Sequence, residues 1–170
     1  DELYFKLVSA EKETGIIFSN SPTQKIYFEK VSALQKTTHQ DKPMLSLDKT
    51  KNPNDIQSFV NGHDWLGMFK LDGLSCRLTY VNGKLIKGET RGDGITGEDI
   101  THNIKVIKNI PKVLANNIEE MVIIDGEIIC DYENFKVFQH EYKNPRNFAA
   151  GSIRILDAKE SASRNLSFIA

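Results

Sequence analysis

A lysine stands between two apolar residues at one point of the chain. The stretch "FKLDG" places Lys70 between Phe69 and Leu71, where a strand would ordinarily bury an apolar side chain. A lysine amine is nucleophilic only when its ammonium form is disfavoured, and apolar neighbours or a nearby cation have that effect. Asp72 could orient the amine or bind a ribose or a metal, and Gly73 lets the backbone approach a ligand closely. The alternative is a surface lysine at a strand edge, before an Asp-Gly turn.

Four further charged side chains are candidates for binding an anion or a cation. Arg91 ends the strand that pairs with the one after the lysine; it could contact a ribose or a phosphate, or be an exposed strand-end charge. Glu127 lies in the apolar run "VIIDGEIIC", where a carboxylate is costly unless it is paired or coordinates a cation. Arg146 and Arg154 bracket "NPRNFAAGSIRI". Two guanidiniums at a helix N-terminus form an anion site, and the alternative is two solvated arginines on a loop.

Composition describes a soluble globular protein of one domain with a small appendage. The chain has 170 residues, of which 39% are hydrophobic and 26% charged, and no stretch resembles a membrane span or a signal peptide. Cys76 and Cys130 each lie in an apolar run, which argues against a disulfide or a zinc site and favours the cytoplasm. The net charge of −1 gives no support for nucleic-acid binding, so any basic surface must be gathered locally.

Alternation of apolar and polar residues predicts strands from Leu66 onward. Apolar positions Leu74, Cys76, Leu78 and Tyr80 alternate with Ser75, Arg77 and Thr79, as in a half-buried strand. Asn82-Gly83 then predicts a type I′ hairpin turn, because both central positions of that turn need positive φ. Residues 84–91 return as the second strand. "MVIIDGEIIC" is either a further strand pair or one long bent strand.

The predicted helices are short and do not alternate regularly with the strands. Residues 1–13 have an amphipathic helical pattern, and "YENFKVFQHEY" is also helical. The predicted caps are Asn54 or Asp55, Thr96 before a helix over residues 100–107, and Asn147 before the helix between the two arginines. This mixture predicts an α+β domain built on antiparallel sheet.

Six blocks in order resemble one enzyme family. They are "SPTQK" (21–25), "PMLSLD" (43–48), "KLDG" (70–73), "TRGDGITGEDIT" (90–101), "IDGEI" (124–128) and "NPRNFAAGSIRILD" (144–157). Over nearly its whole length the chain resembles the adenylation domain of bacterial-type NAD⁺-dependent DNA ligases. "KLDG" is common to all covalent nucleotidyltransferases, whereas the "SPTQ", "TRGDG" and "NPRN" blocks are specific to the NAD⁺ branch.

The resemblance implies a fold and a division of the chain. The expected core is an antiparallel-sheet, ATP-grasp-like nucleotidyltransferase with short flanking helices and a partial N-terminal helical appendage. Residues 1–24 correspond to the remnant of a helical subdomain that binds nicotinamide mononucleotide. Residues 25–170 correspond to an adenylation domain that is C-terminally incomplete, ending before two later lysines of the family.

The resemblance also assigns a role to each candidate residue. Lys70 matches the lysine that attacks the α-phosphorus of NAD⁺, forms lysyl-AMP and releases nicotinamide mononucleotide, after which AMP passes to the 5′-phosphate of a nick and the 3′-hydroxyl seals it. Asp72 of the same motif is expected to be catalytic. The expected nucleotide-binding residues are Asp1, Ser46, Leu47, Met68, Leu71, Arg91 and Glu127. Arg146 and Arg154 match arginines that face the reacting phosphates and the DNA.

Three features depart from the family pattern. Met68 stands where a glutamate usually contacts adenine, and Asp125 stands where an arginine usually precedes "GE". The segment between Phe135 and Asn144 is shorter than usual, which indicates a trimmed loop. Because Met68 cannot accept from the exocyclic amine of adenine, either the backbone does that work or adenine selection is weaker.

Cofactors and partners follow from the same resemblance. They are NAD⁺, Mg²⁺ (or Mn²⁺) held through the nucleotide with Glu127 as the candidate protein ligand, and nicked double-stranded DNA, in a cytoplasmic monomer of DNA replication and repair that has no membrane partner. Zinc is expected only in parts of the enzyme outside this chain. Two alternatives are a non-catalytic nucleotide- or DNA-binding fragment and an ATP-dependent ligase or capping-type enzyme. The latter shares "KLDG" but does not account for "SPTQ" or "NPRNFAAGS".

Overall fold

Two antiparallel sheets and six short helices make up the described part of the chain. The computed structural model describes residues 2–18, 21–24, 28–39, 42–114, 118 and 120–170. The strands are β1 (Lys36–Thr38), β2 (Leu74–Val81), β3 (Lys84–Thr90), β4 (Thr96–Glu98), β5 (Met121–Ile129) and β6 (Ser167–Ile169). The helices are α1 (Glu2–Thr14), α2 (Pro53–Val60), α3 (Thr101–Ile104), α4 (Tyr132–Phe135), α5 (Pro145–Ser152) and α6 (Ala158–Ser163), with a 3₁₀ turn at Pro22–Gln24. The predicted mixture of helices and antiparallel sheet is confirmed.

The larger sheet has the strand order β3-β2-β5-β6, and every neighbouring pair is antiparallel. The predicted hairpin joins β2 to β3, with φ of 50° at Asn82 and 71° at Gly83. β5 is a single strand that pairs with the whole of β2, from Leu74 opposite Ile128 to Val81 opposite Met121. This pairing settles the alternative that the sequence left open for "MVIIDGEIIC".

The core lies on one face of this sheet. Cys76, Leu78 and Tyr80 of β2 are at most 1% exposed, as their alternation predicts. Helices α3 and α5 cover them with further buried side chains, among them Ile100, Ile104, Phe148 and Ile153. Both cysteines are free and buried, and burial raises the pKa of each thiol, Cys76 more than Cys130. The two thiols are therefore packing groups.

The strand prediction from Leu66 onward was wrong for its first eight residues. β2 begins at Leu74, and residues 64–72 are extended chain outside any strand. Apart from the half-buried Leu71, the large apolar side chains of this segment are exposed, including Leu66 at 89% and Phe69 at 95%. An alternating pattern forms a strand only where a neighbouring strand or a core accepts it, and this segment has neither among the described residues.

The predicted helix caps were also wrong, each by a few residues. Asn52 caps α2, and Asn144 caps α5 by accepting from the N–H of Asn147. Thr96 lies in β4, because its N–H donates to the Asp93 side chain and β4 pairs with β1. The helix predicted over residues 100–107 is the shorter α3, with no side-chain cap. "YENFKVFQHEY" is helical only over α4 and continues as turns.

No helix within the described ranges is both long enough and apolar enough to cross a membrane.

Gly88 tests the packing of α3 on β3. A Cβ at this position would lie 2.3 Å from Cγ1 of Ile104, which is fully buried. We expect Gly88→Ala to lower the free energy of unfolding by about 1–3 kcal/mol, because the neighbouring core side chain must move. Urea denaturation measures the change.

Gly67→Ala is the matched control, because its Cβ would meet only a Trp65 ring carbon at 3.5 Å. The control should change the unfolding free energy by no more than about 0.5 kcal/mol. Equal stability of the two variants would contradict the packing of α3 against Gly88.

Candidate active site

Lys70 lies on open, extended chain four residues before β2. The lysine is exposed, and Phe69 beside it is 95% exposed. The expectation that apolar neighbours desolvate the amine was therefore wrong, because Phe69 packs against no part of the core. Leu71 is half-buried, Asp72 is exposed and Gly73 is buried. The chain thus enters the sheet immediately after the lysine.

Glu127 holds the start of β2 from the neighbouring strand β5. Its Oε1 accepts a hydrogen bond from the N–H of Gly73 at 3.0 Å, and its Oε2 accepts one from the Ser75 hydroxyl at 2.8 Å. The register places Glu127 directly opposite Ser75. Of the two alternatives for this carboxylate, a paired group or a cation ligand, the structure shows hydrogen bonds from two neutral donors within five residues of Lys70.

Arg91 joins the same cluster through its backbone and its side chain. Its N–H donates to the carbonyl of Ser75 at 3.0 Å, directly after the end of β3. Its guanidinium reaches the hydroxyl of Ser46 at 3.4 Å. Contacts therefore run from Ser46 through Arg91 and Ser75 to Glu127 and Gly73, and bring three of the predicted site residues together.

Arg146 brings the start of α5 to the lysine motif. Its Nη1 lies 2.8 Å from Oδ1 of Asp72, with the two side chains 47% and 75% exposed. An ion pair this exposed contributes little to stability, typically up to about 1 kcal/mol. The pair instead places a guanidinium two residues along the chain from Lys70.

Arg154 lies apart from this group, after the other end of α5. Its Nε donates to Glu98 of β4, and its Nη1 donates to the carbonyl of Ala150 at 3.4 Å. The two arginines that the sequence treats alike therefore have different surroundings. Arg146 pairs with the lysine motif, whereas Arg154 pairs with the last residue of β4.

The remaining predicted site residues are apolar or lie outside the described chain. Leu47 is 77% exposed and Met68 is 71% exposed, so both side chains are free to contact a ligand. Asp1 lies outside the described residues, and no contact is assigned to it. Among the residues that the structure does describe, no three His, Cys, Asp or Glu side chains are grouped to hold a metal.

Arg77 is a contributor that the alternation pattern missed. The pattern places it on the exposed face of β2, yet it is only 4% exposed. Its guanidinium forms two hydrogen bonds to Asp125, of 2.7 and 2.8 Å, and a third to the carbonyl of Lys42 at 2.6 Å. The unusual Asp125 is thus the partner of a buried arginine. This arginine also anchors the segment that leads to Ser46.

Three cationic and two acidic side chains therefore belong to the segments that meet at the start of β2. The cations are Lys70, Arg91 and Arg146, and the carboxylates are Asp72 and Glu127. Arginine forks bind phosphate oxygens with two parallel donors, and exposed apolar side chains beside them suit a base or a ribose. The arrangement is chemically able to bind a nucleotide phosphate beside an amine.

Comparison with known proteins agrees with this chemistry. The family model described as the NAD-dependent DNA ligase adenylation domain matches residues 31–170. A DNA ligase of Ruminiclostridium cellulolyticum is 42% identical over 99% of the chain, and one of Lachnoclostridium phytofermentans is 41% identical over 100%. A DNA ligase of Metamycoplasma arthritidis is 41% identical over 98%. The chain spans only 26–28% of the length of these relatives.

Substitution of Asp125 tests whether the buried guanidinium of Arg77 needs the Asp125 carboxylate. We expect Asp125→Ala to lower the free energy of unfolding by about 1–3 kcal/mol, because the buried Arg77 loses the acceptor for two of its donors. Asp72→Ala is the matched control, since it removes an aspartate from an exposed arginine pair. The control should cost no more than about 1 kcal/mol. Equal losses in urea denaturation would contradict the account of Arg77.

Proposed function

The chain belongs to the family of NAD-dependent DNA ligase adenylation domains, and from that premise we propose that Lys70 is the residue that becomes adenylated. Its amine attacks the α-phosphorus of NAD⁺. A phosphorus–nitrogen bond forms, the bond to the phosphate of nicotinamide mononucleotide breaks, and the amine loses its proton to solvent. The carrying observation is the contact network that joins Glu127, Arg91 and Ser46 to the backbone directly after Lys70.

In the later steps the AMP group activates the DNA end that is to be sealed. We propose that AMP passes from the lysine to the 5′-phosphate at a nick, where it becomes the leaving group. The adjacent 3′-hydroxyl then attacks that phosphate, seals the strand and releases AMP. Phosphoryl transfer of this kind depends chiefly on in-line placement and on cations around the phosphate oxygens. Arg91 and Arg146 are the cations placed for that purpose.

Activation of the amine is assigned to the bound substrate. Lys70 is exposed, so its own segment does not desolvate it. A dinucleotide seated against Ser46, Leu47 and Met68 would cover the amine and exclude water from it. In this proposal the lysine becomes nucleophilic only within the complex.

The site could supply one carboxylate ligand to a divalent cation. Mg²⁺ binds proteins through one or two carboxylates together with substrate phosphates, and Mn²⁺ accepts the same oxygen ligands. Glu127 accepts one hydrogen bond on each oxygen and retains lone pairs, so it is the candidate protein ligand. The cation would neutralise charge on the phosphates of the nucleotide.

We extend the proposal to the organisation of the protein. Residues 25–170 would form an ATP-grasp-like adenylation core, and residues 1–24 would form the end of a helical subdomain that holds the nicotinamide half. The family match over residues 31–170 supports that division. The chain would work within a longer monomeric ligase of the cytoplasm, since it spans about a quarter of the ligases it resembles. Nicked DNA would be the second substrate.

Intact-mass spectrometry tests the nucleophile. We expect incubation with NAD⁺ and Mg²⁺ to add one AMP group to the full-length protein that carries this chain, and Lys70→Ala to abolish the addition. Lys49→Ala is the matched control, because Lys49 is also an exposed lysine on extended chain. The control should adenylate at the level of the unsubstituted protein.

Two other outcomes would change the assignment. An adduct that survives Lys70→Ala would refute this nucleophile. Addition from ATP but not from NAD⁺ would move the protein to the ATP-dependent class. The same reaction with the 170-residue chain alone separates a competent core from a nucleotide-binding fragment.

The two arginines of the α5 region are expected to divide the reaction. Arg146→Ala should slow adenylation of the lysine by about tenfold or more, because it removes a cation beside the lysine motif. Arg154→Ala should slow nick sealing more than adenylation, because its guanidinium lies apart from that motif. Single-turnover assays of adenylation and of sealing by pre-adenylated protein separate the steps. Equal loss in both steps for Arg154→Ala would argue against the division.

A further inference from the structure

A buried histidine contacts the backbone of Arg91. His39 follows β1 directly, and its side chain is fully buried. Its Nδ1 lies 2.8 Å from Oε1 of Glu89, and its Nε2 lies 3.0 Å from the carbonyl oxygen of Arg91. Both ring nitrogens therefore face oxygen atoms. Neither His39 nor Glu89 belongs to the lysine motif or to the nucleotide-binding residues assigned above.

The proton count on this ring follows from its two partners. A carbonyl oxygen can only accept, so Nε2 must carry a hydrogen. Burial alone would raise the pKa of Glu89, but hydrogen bonds from Lys87, His39 and Thr37 outweigh it and hold the pKa below its usual value. Glu89 is thus a carboxylate, and Nδ1 must also carry a hydrogen. A neutral imidazole donates from one nitrogen only, so the contacts require the imidazolium form.

The same ring is part of a wider buried network. Glu89 is 3% exposed, and its second oxygen accepts from Lys87 and from the hydroxyl of Thr37. The charged groups around the ring are Glu89, which it contacts, Lys87, which pairs with Glu89 and is 30% exposed, and Asp93 in the loop after Arg91; Arg91 itself meets the ring through its backbone carbonyl. The hydrogen bonds to the buried Glu89 depend on one another. Removing the ring proton therefore disturbs more than one hydrogen bond.

The network affects the candidate site because its histidine binds the carbonyl oxygen of Arg91. The N–H of Arg91 donates to Ser75, whose hydroxyl donates to Glu127. The carbonyl of Arg91 accepts from His39. The backbone of Arg91 is thus fixed between a cationic ring and β2. This fixes the Cα from which the side chain extends to Ser46.

We propose that His39, in its imidazolium form, is a positioning residue that holds Arg91 in place for nucleotide binding. This inference rests on the proposed function for the identity of the ligand, whereas the charge of the ring follows from its two contacts and from the ionised state of Glu89. Loss of one ring proton leaves either Glu89 or the Arg91 carbonyl without its donor.

Nitrogen NMR of the unsubstituted chain tests the charge directly. In a long-range ¹H–¹⁵N spectrum near neutral pH, both ring nitrogens of His39 should have the shifts of protonated imidazolium nitrogens. As pH is raised, the amide signals of Arg91 and Ser75 should move together with the ring nitrogens. A ring with one protonated and one bare nitrogen, or Arg91 signals that do not follow the ring, would overturn the proposal. This measurement needs no nucleotide.

Substitution tests the consequence for binding. We expect His39→Gln to weaken AMP binding by about tenfold in calorimetry, the cost of losing a hydrogen bond to a charged group, and to raise the KM for NAD⁺ more than it lowers kcat. His140→Gln is the matched control, since that histidine is 70% exposed. It should bind AMP normally.

The outcomes separate this inference from the proposed function. If His39→Gln binds AMP as tightly as the control, the positioning role is wrong while adenylation of Lys70 stands. If the unsubstituted protein binds neither AMP nor NAD⁺, the proposed function fails, and the nucleotide-binding role of His39 fails with it. The nitrogen spectrum would then still decide whether the ring is charged. If His39→Gln does not fold, the pH titration of the Arg91 amide decides the positioning role.

Discussion

The pairing of Glu127 with Ser75 across β5 and β2 is the contact on which the site depends. One carboxylate accepts from the Gly73 amide and the Ser75 hydroxyl, and the Ser75 carbonyl accepts from Arg91. All of these bonds follow from the register of three neighbouring strands. A one-residue slip of β5 would turn Glu127 to the other face of the sheet and leave Gly73 without its acceptor. The antiparallel sheet is therefore what places the charged groups of the site beside one another.

Charge-assisted hydrogen bonds, rather than apolar packing, hold the chain around the start of β2 and the end of β3. Arg77 is buried against Asp125, and His39 is buried against Glu89. Each buried ion has a partner close by, which is the condition under which burial of a charge is tolerated. Arg77 anchors the chain before Ser46, while His39 anchors Arg91. The two contacts thus support two of the segments that carry the proposed nucleotide site, where exposed apolar residues provide little packing.

Local patterns predicted the elements whose partners are close in sequence. The β2–β3 hairpin follows from Asn82-Gly83, and the buried face of β2 follows from its alternation. The caps of α2 and α5 were predictable from a signal that was overlooked, since Asn52 and Asn144 each precede a proline at the first helical position. Lys70 was harder to predict, because alternation shows which side chains could be buried but not whether a neighbour covers them. Arg77 and His39 depend on partners about 50 residues away in sequence, which no short window contains.

The central claim is that a nucleotide binds at the start of β2, between Arg91 and Glu127. Titration of the labelled chain with AMP, followed by backbone amide chemical shifts, tests it most directly. We expect the largest shift changes at the amides of Gly73, Ser75 and Arg91. The amides of Asn82-Gly83, at the opposite end of the same hairpin, should change little. Changes centred on that turn, or none near Gly73 at saturating AMP, would contradict it.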